Sequence, residues 1–216
     1  MTRELQKRMI SSILLVGIFL FCYFVHKYAF LSILFFACLI CWIEWIGIIK
    51  KIKLKNKILE KLSTIVSFLY LLIVGIMMFG GYNGDKILFL ALLFVCIFSD
   101  IGGYVFGKTF GGKKLTKISP NKTISGSIGS FLFSLIPFIF YVVYFTNSNL
   151  DLKSILIPIL FSFICQFGDL FISYFKRKAK VKDTSKLIPG HGGLLDRIDG
   201  IIFALPFGIL LLPILI

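Results

Sequence analysis

Long apolar runs separated by short basic or polar segments fill almost the whole sequence. A helix crossing the hydrocarbon of a bilayer needs roughly 20 apolar residues at a rise of about 1.5 Å each. Seven stretches meet or approach that length, at approximately 9–25, 28–49, 62–79, 86–106, 127–145, 155–175 and 198–216. No alternation of period two runs through them, so a transmembrane barrel is not expected. The pattern predicts an all-α, polytopic transmembrane helical bundle of about seven spans, forming a single domain over 1–216. The first span has the charge pattern of a signal peptide without a small-residue cleavage site, and is read as a retained span.

Composition removes the alternatives. Hydrophobic residues make up 58% of the 216 positions and charged residues 16%, and the mean hydropathy is +0.96. A soluble domain of this size could not bury that much apolar surface. The net charge of +14 looks like a nucleic-acid footprint until the charges are placed. Arg3, Lys7 and Arg8 precede the first span. Lys50, Lys51, Lys53, Lys55, Lys57 and Lys61 follow the second. Lys108, Lys113, Lys114, Lys117 and Lys122 follow the fourth, and Lys176, Arg177, Lys178, Lys180, Lys182, Lys186 and Arg197 follow the sixth. The intervening loops hold only Lys27, Lys86 and Lys153. This alternation places the N-terminus in the cytoplasm and the C-terminus outside. The basic face then meets anionic headgroups and phosphate-bearing metabolites, not nucleic acid.

Some local patterns carry little. Gly102-Gly103-Tyr104-Val105-Phe106-Gly107-Lys108-Thr109 fits the phosphate-binding loop formula, but that loop needs a strand before it and a helix after it. Here the glycines close a membrane span, where they let backbones or a ligand approach. Cys38 and Cys41 lie inside an apolar span with no second pair, and the five cysteines form no disulfide framework. Asn121-Lys122-Thr123 is a glycosylation sequon on the expected cytoplasmic side. His26 and His191 are the only histidines, so a zinc site is not expected.

The ten acidic residues are more informative. Glu44, Asp100 and Asp169 lie inside the second, fourth and sixth spans, each about six residues, or roughly 10 Å, from the cytoplasmic end. Carboxylates at such depth face a partner or a polar cavity. Separate ion pairs with loop lysines are one reading, and a single cytoplasm-facing cavity, favoured by the common depth, is the other. Asp196 and Asp199 open the last span at a spacing that puts both on one helix face. Before them comes Pro189-Gly190-His191-Gly192-Gly193, and upstream lie Lys176, Arg177 and Lys182. Hard oxygen ligands suit Mg²⁺, while cations and backbone N–H groups suit phosphates. Such an assembly suits phosphoryl or nucleotidyl transfer. Ser119-Pro120-Asn121-Lys122-Thr123 precedes the fifth span. Ser119 is expected to cap that helix with Pro120 in its first turn, leaving an anion site with Lys122 and Thr123.

These segments also carry a resemblance. Ser173-Tyr174-Phe175-Lys176-Arg177, Lys182-Asp183 and Pro189-Gly190-His191-Gly192-Gly193-Leu194-Leu195-Asp196-Arg197-Ile198-Asp199 resemble, with spacing intact, the signature of the phosphatidate cytidylyltransferases (CDP-diacylglycerol synthases). Gln166-Phe167-Gly168-Asp169-Leu170, Ser99-Asp100-Ile101-Gly102-Gly103-Tyr104, Phe110-Gly111, Ile118-Ser119-Pro120-Asn121-Lys122-Thr123 and Glu44-Trp45 are similar to further family segments. The resemblance implies transfer of CMP from CTP to phosphatidate, giving CDP-diacylglycerol and pyrophosphate for phospholipid biosynthesis. It implies Mg²⁺ with a second, monovalent cation such as K⁺, and a homodimer. It also implies a multi-pass protein of a bacterial-type inner membrane with its site facing the cytoplasm. Residue by residue it implies Asp169, Asp196 and Asp199 as metal ligands, with Asp100 as a further ligand or a neighbour of one. Lys176, Arg177, Lys182, His191 and Arg197, with Ser173, Gly192 and Gly193, would hold the triphosphate or the lipid phosphate. Ser119, Asn121, Lys122 and Thr123 would form the other wall.

The chain departs from the family pattern at Ile172, where an acidic residue is common, and at Ser125, where Glu or Gln is common. Family members also often have eight or nine spans. Two other functions remain in view: a CTP-dependent polyprenol or phytol kinase, and, from a different class, a cation-coupled membrane transporter.

Overall fold

A computed structural model describes residues 3–54, 56–146, 149–188 and 192–215, with side chains outside 3–13 and 211–215. Among these residues eight α-helices follow one another: α1 (Arg3–Val25), α2 (Lys27–Ile52), α3 (Lys57–Gly84), α4 (Lys86–Thr109), α5 (Ile124–Tyr141), α6 (Leu152–Lys178), α7 (Leu195–Ile198) and α8 (Ile201–Leu215). A π-helical turn, Val142–Thr146, extends α5. Among the described residues there is no strand, only two isolated bridges, Lys114 with Thr123 and Ile188 with Gly192.

The protein is an integral-membrane, all-α polytopic bundle. Among the described residues five helices, α2 to α6, are long and apolar enough to cross a membrane. The first and last expected spans correspond to α1 and α8, whose described apolar stretches, Leu14–Val25 and Ile201–Leu210, are shorter. Large side chains such as Phe35, Phe36, Ile65, Ile76, Ile136 and Phe163 are exposed on the helices. In water such a surface would aggregate, whereas against acyl chains it is the natural outer face.

The chain divides into two compact units, Met1–Phe79 with Phe175–Ile198, and Gly80–Tyr174 with Asp199–Ile216. In the first, α2 buries Phe30, Leu34, Cys41, Glu44 and Ile48 at helical spacing. Trp42 Nε1 donates to the Thr64 carbonyl at 3.0 Å, tying α2 to α3. Trp45 meets the Phe175 ring edge-on at 4.8 Å. His26 caps α2 by accepting from Tyr28 N–H.

In the second unit, α4 and α5 cross on small residues. A Cβ on Gly102 would stand 2.3 Å from the Gly129 carbonyl oxygen, and one on Gly129 would stand 2.4 Å from Phe106 Cβ. Only glycine permits this approach, the usual device where the surrounding lipid is as apolar as the helices and drives no association. Hydroxyls join both helices to α6. Ser99 and Ser162, both fully buried, lie 2.8 Å apart and link α4 to α6. Ser127 donates to Gln166 at 2.6 Å, linking α5 to α6. Gly102, Gly103 and Gly107 therefore lie within α4, which excludes the phosphate-loop reading and matches their expected role in close helix approach.

Candidate active site

In the first unit two carboxylates organise the segment between α6 and α7. Glu44, on α2 and only 5% exposed, has four polar contacts with that segment, one of them a hydroxyl shared with Asp196. Oε1 receives Ser185 Oγ at 2.7 Å and Leu194 N–H at 3.0 Å. Oε2 receives Leu195 N–H at 2.8 Å and faces Thr184 Oγ1 at 2.9 Å. Asp196, in α7, receives Lys176 Nζ at 2.7 Å on Oδ1. Its Oδ2 receives Thr184 N–H at 2.8 Å and Gly193 N–H at 3.0 Å, and faces Thr184 Oγ1 at 2.9 Å. A buried carboxylate is tolerable only when its lone pairs are filled in this way. Burial works to raise the Asp196 pKa, but the Lys176 ammonium and the Gly193 and Thr184 N–H bonds outweigh it and hold the carboxyl below its ordinary value.

The glycines of the signature have their place here. Gly192 adopts φ +85° and exchanges backbone hydrogen bonds with Ile188. A Cβ on Gly193 would lie 1.9 Å from Thr184 Oγ1 and 2.4 Å from Glu44 Oε2. Glycine is therefore what lets the loop backbone reach Glu44.

In the second unit the residues after α4 form a tight hairpin. Leu115 N–H donates to the Lys122 carbonyl at 2.8 Å and Ile124 N–H to the Lys113 carbonyl at 3.0 Å. Ser119-Pro120-Asn121-Lys122 is the turn, closed by Lys122 N–H to the Ser119 carbonyl at 3.1 Å. The hairpin delivers Lys122 to Asp169 on α6 as an ion pair. Ser173, one helical turn along, donates to Asp169 Oδ1 at 3.2 Å. Asp199 is buried and its Oδ1 accepts from Gly200 N–H at 2.9 Å. Its carbonyl packs so closely on α6 that a Cβ on Gly168 would lie 2.8 Å away. This places the backbone at Asp199 beside the residue preceding Asp169.

Several expectations change. Ser119 does not cap α5; Thr123 does, accepting Gly126 N–H at 3.1 Å. The Lys114–Thr123 bridge holds Ser119 in the turn instead, where its N–H meets Thr116 Oγ1. Asp196 and Asp199 do not share a helix face, because α7 ends at Ile198 and a turn through Asp199 and Gly200 precedes α8. The turn follows from packing: a Cβ on Gly200 would stand 2.3 Å from Cys165 Sγ. Glu44 is not an open cavity acid, since the loop fills both its oxygens. The hydroxyls of Thr184 and Ser185 were missed by sequence reasoning; the only pointer was a glutamate inside a span that lacked a nearby partner.

Asn121, Arg177, Lys182 and Arg197 are exposed, as is Asp100 on α4. His191 lies outside the described residues. Both departures have a physical setting. Ile172 is buried, at 2% exposure. Ser125 donates to the Gly111 carbonyl and lies 2.9 Å from Thr123 Oγ1, so a short hydroxyl closes the base of the hairpin.

The donor chemistry can be tested against Mg²⁺. Among the described residues no group of three or more His, Cys, Asp or Glu side chains forms a ready cage. Mg²⁺ seldom uses one; it takes one or two carboxylates and completes its shell with water and substrate phosphates. Asp169 and Asp196 are hard carboxylates, each already paired with a lysine ammonium. A lysine that yields its carboxylate to a cation is left facing any phosphate the cation brings. The residues present therefore fit the ion.

The sequence over residues 53–215 matches the model of the Cytidylyltransferase family. The chain is 41% identical over 137 residues to a phosphatidate cytidylyltransferase of Staphylococcus haemolyticus, covering 62% of the chain and 52% of that relative. The Staphylococcus aureus protein of the same name is 40% identical over 136 residues, with the same coverage. The one from Synechocystis is 41% identical over 129 residues, covering 57% of the chain and 44% of the relative. The chain spans about half the length of the curated relatives it matches.

Proposed function

Since the chain belongs to the cytidylyltransferase family, we propose that it is a phosphatidate cytidylyltransferase, making CDP-diacylglycerol and pyrophosphate from CTP and phosphatidate. The observation that carries this reading is the pair of acid–lysine contacts, Lys122–Asp169 and Lys176–Asp196, each built from signature residues far apart in sequence. Acids for a cation beside lysines for phosphates are what nucleotidyl transfer demands. The names and identities of the relatives support the substrates.

In this reading a phosphate oxygen of phosphatidate attacks the α-phosphorus of CTP. The bond to the β-phosphate oxygen breaks, and pyrophosphate leaves with that electron pair. The nucleophile is already an anion, so no strong base is required. Mg²⁺, when bound, neutralises charge and polarises the phosphoryl oxygens; Asp169, Asp196 and Asp199, with Asp100, are its proposed ligands, and a monovalent cation such as K⁺ is a second proposed occupant. Lys176, Arg177, Lys182, His191 and Arg197, with Ser173 and the N–H groups of Gly192 and Gly193, are assigned to the triphosphate and lipid phosphate. Lys122 with Ser119, Asn121 and Thr123 is assigned to CTP. The distribution of basic residues supports a cytoplasmic site in a bacterial inner membrane, and a homodimer is part of the same proposal.

The test is turnover in mixed micelles containing phosphatidate, labelled CTP and Mg²⁺, with Asp169→Asn and Asp199→Asn as controls. Both products from the parent protein and neither from the variants are expected. A phosphorylated polyprenol with CDP would make the protein a lipid kinase. Absence of CTP turnover with any lipid by folded protein would overturn the reading and reopen ion-coupled transport.

A further inference from the structure

We propose that Glu44 is a positioning residue: it grips the 184–195 loop and thereby presets Asp196 and Lys176. The inference rests on the functional reading above for its kinetic part and on geometry alone for the grip. Glu44 belongs to α2, whereas all four of its donors belong to the loop, 140–151 residues later in the chain. The donors sit at both ends of the loop: Thr184 and Ser185 at its start, Leu194 and Leu195 at its close. One carboxylate thus pins the two ends together.

The same residues govern Asp196. Three of its four polar contacts come from Thr184 N–H, Thr184 Oγ1 and Gly193 N–H. The fourth is Lys176, which begins on a different element, α6. If Glu44 released the loop, Asp196 Oδ2 would lose its frame while Lys176 remained attached to Oδ1. Thr184 is the joint between the two acids. Its hydroxyl has one hydrogen and stands 2.9 Å from a carboxylate oxygen of each. It can satisfy only one at a time, so any change in the charge around Asp196 is passed directly to Glu44.

A purely structural glutamate and a positioning glutamate predict different measurements. The test compares the parent with Glu44→Gln, Thr184→Ser and Thr184→Val, all purified in the same detergent. In Glu44→Gln an amide –NH₂ replaces one oxygen and faces the two donors that oxygen held, one from each end of the loop, so the grip is weakened at both ends. Backbone hydrogen exchange at Thr184, Gly193, Leu194 and Leu195 should quicken at least tenfold, with α2 and α6 unchanged. The kcat per folded molecule should fall at least tenfold while KM for CTP and phosphatidate stays within about threefold. Thr184→Ser should retain parent kcat, and Thr184→Val should lose it. Should Glu44→Gln fail to fold, the serine and valine variants carry the test, since they leave Glu44 in place.

Parent-like exchange and parent-like kcat in Glu44→Gln or Thr184→Val would overturn the proposal. So would a loss of activity matched by the loss of folded protein, which is what a structural role alone predicts. If the parent itself turns over no CTP, the functional reading falls, and the exchange rates alone decide whether Glu44 holds the loop.

Discussion

The two acid–lysine pairs are chemically alike and physically different. Lys176 and Asp196 keep 11% and 5% of their side-chain surface exposed, whereas Lys122 and Asp169 keep 27% and 28%. Asp196 also holds two backbone N–H bonds and faces a shared hydroxyl, while Asp169 also accepts from Ser173 Oγ. A buried, fully bonded pair resists separation, and a half-exposed pair exchanges partners readily. The contrast teaches a division of labour. The Lys176 pair shapes the loop and contributes to stability. The Lys122 pair opens to an incoming phosphate at little cost to the fold, whereas the Lys176 pair opens only at a greater cost.

The comparison can be broken in graded steps. Gly193→Val should have the largest effect, because its side chain would occupy the space of Thr184 Oγ1 and Glu44 Oε2. We expect a loss of about 3 kcal/mol or more, seen as a fall in Tm, together with loss of turnover. Lys176→Ala leaves Asp196 buried and uncompensated, and should cost about 3–5 kcal/mol in denaturant unfolding. Lys122→Ala should cost only about 0.2–1 kcal/mol by the same measurement, yet raise KM for CTP. Equal stability losses in the two lysine variants would erase the distinction.

A pH series sharpens it further and has the smallest effect. The Asp196 carboxyl is held below its ordinary value, so the unfolded chain takes up the proton more readily than the folded one. Its contribution is complete above the unfolded value of about 3.9 and is lost as pH falls through the lower, folded value. The Tm advantage of the parent over Asp196→Asn should therefore be constant from neutrality to about pH 4 and narrow only below it. An advantage that disappears near pH 6 would contradict the assignment.

What the sequence made legible follows from the range of the interactions. Helices α2 to α6 declared themselves through unbroken apolar length, a local property. The glycines of α4 announced close approach, and the partner surface on α5 carries Gly126 and Gly129 as expected of such a crossing. The cap of α5 was misplaced because Ser119 and Thr123 are equally good caps locally. The hairpin bridge, which depends on Lys114, decides between them. The break after Ile198 was hidden because Asp199-Gly200 reads as the start of a helix until Cys165 is seen to need the space. The grip of Glu44 was least legible of all, since no local pattern links a glutamate on α2 to hydroxyls and amides beyond α6.

That separation also sets a timetable for biosynthesis. Glu44 leaves the ribosome with its segment of α2, but Thr184 follows 140 residues later and Leu195 151 residues later. At roughly 5–20 residues per second the interval is about 7–30 s. Throughout it α2 must reside at the translocon or in the bilayer with a carboxylate whose final donors do not yet exist. Assembly around Glu44 therefore waits for the 184–195 segment, and a nascent chain stalled before Thr184 is a membrane intermediate carrying an acid still waiting for its loop.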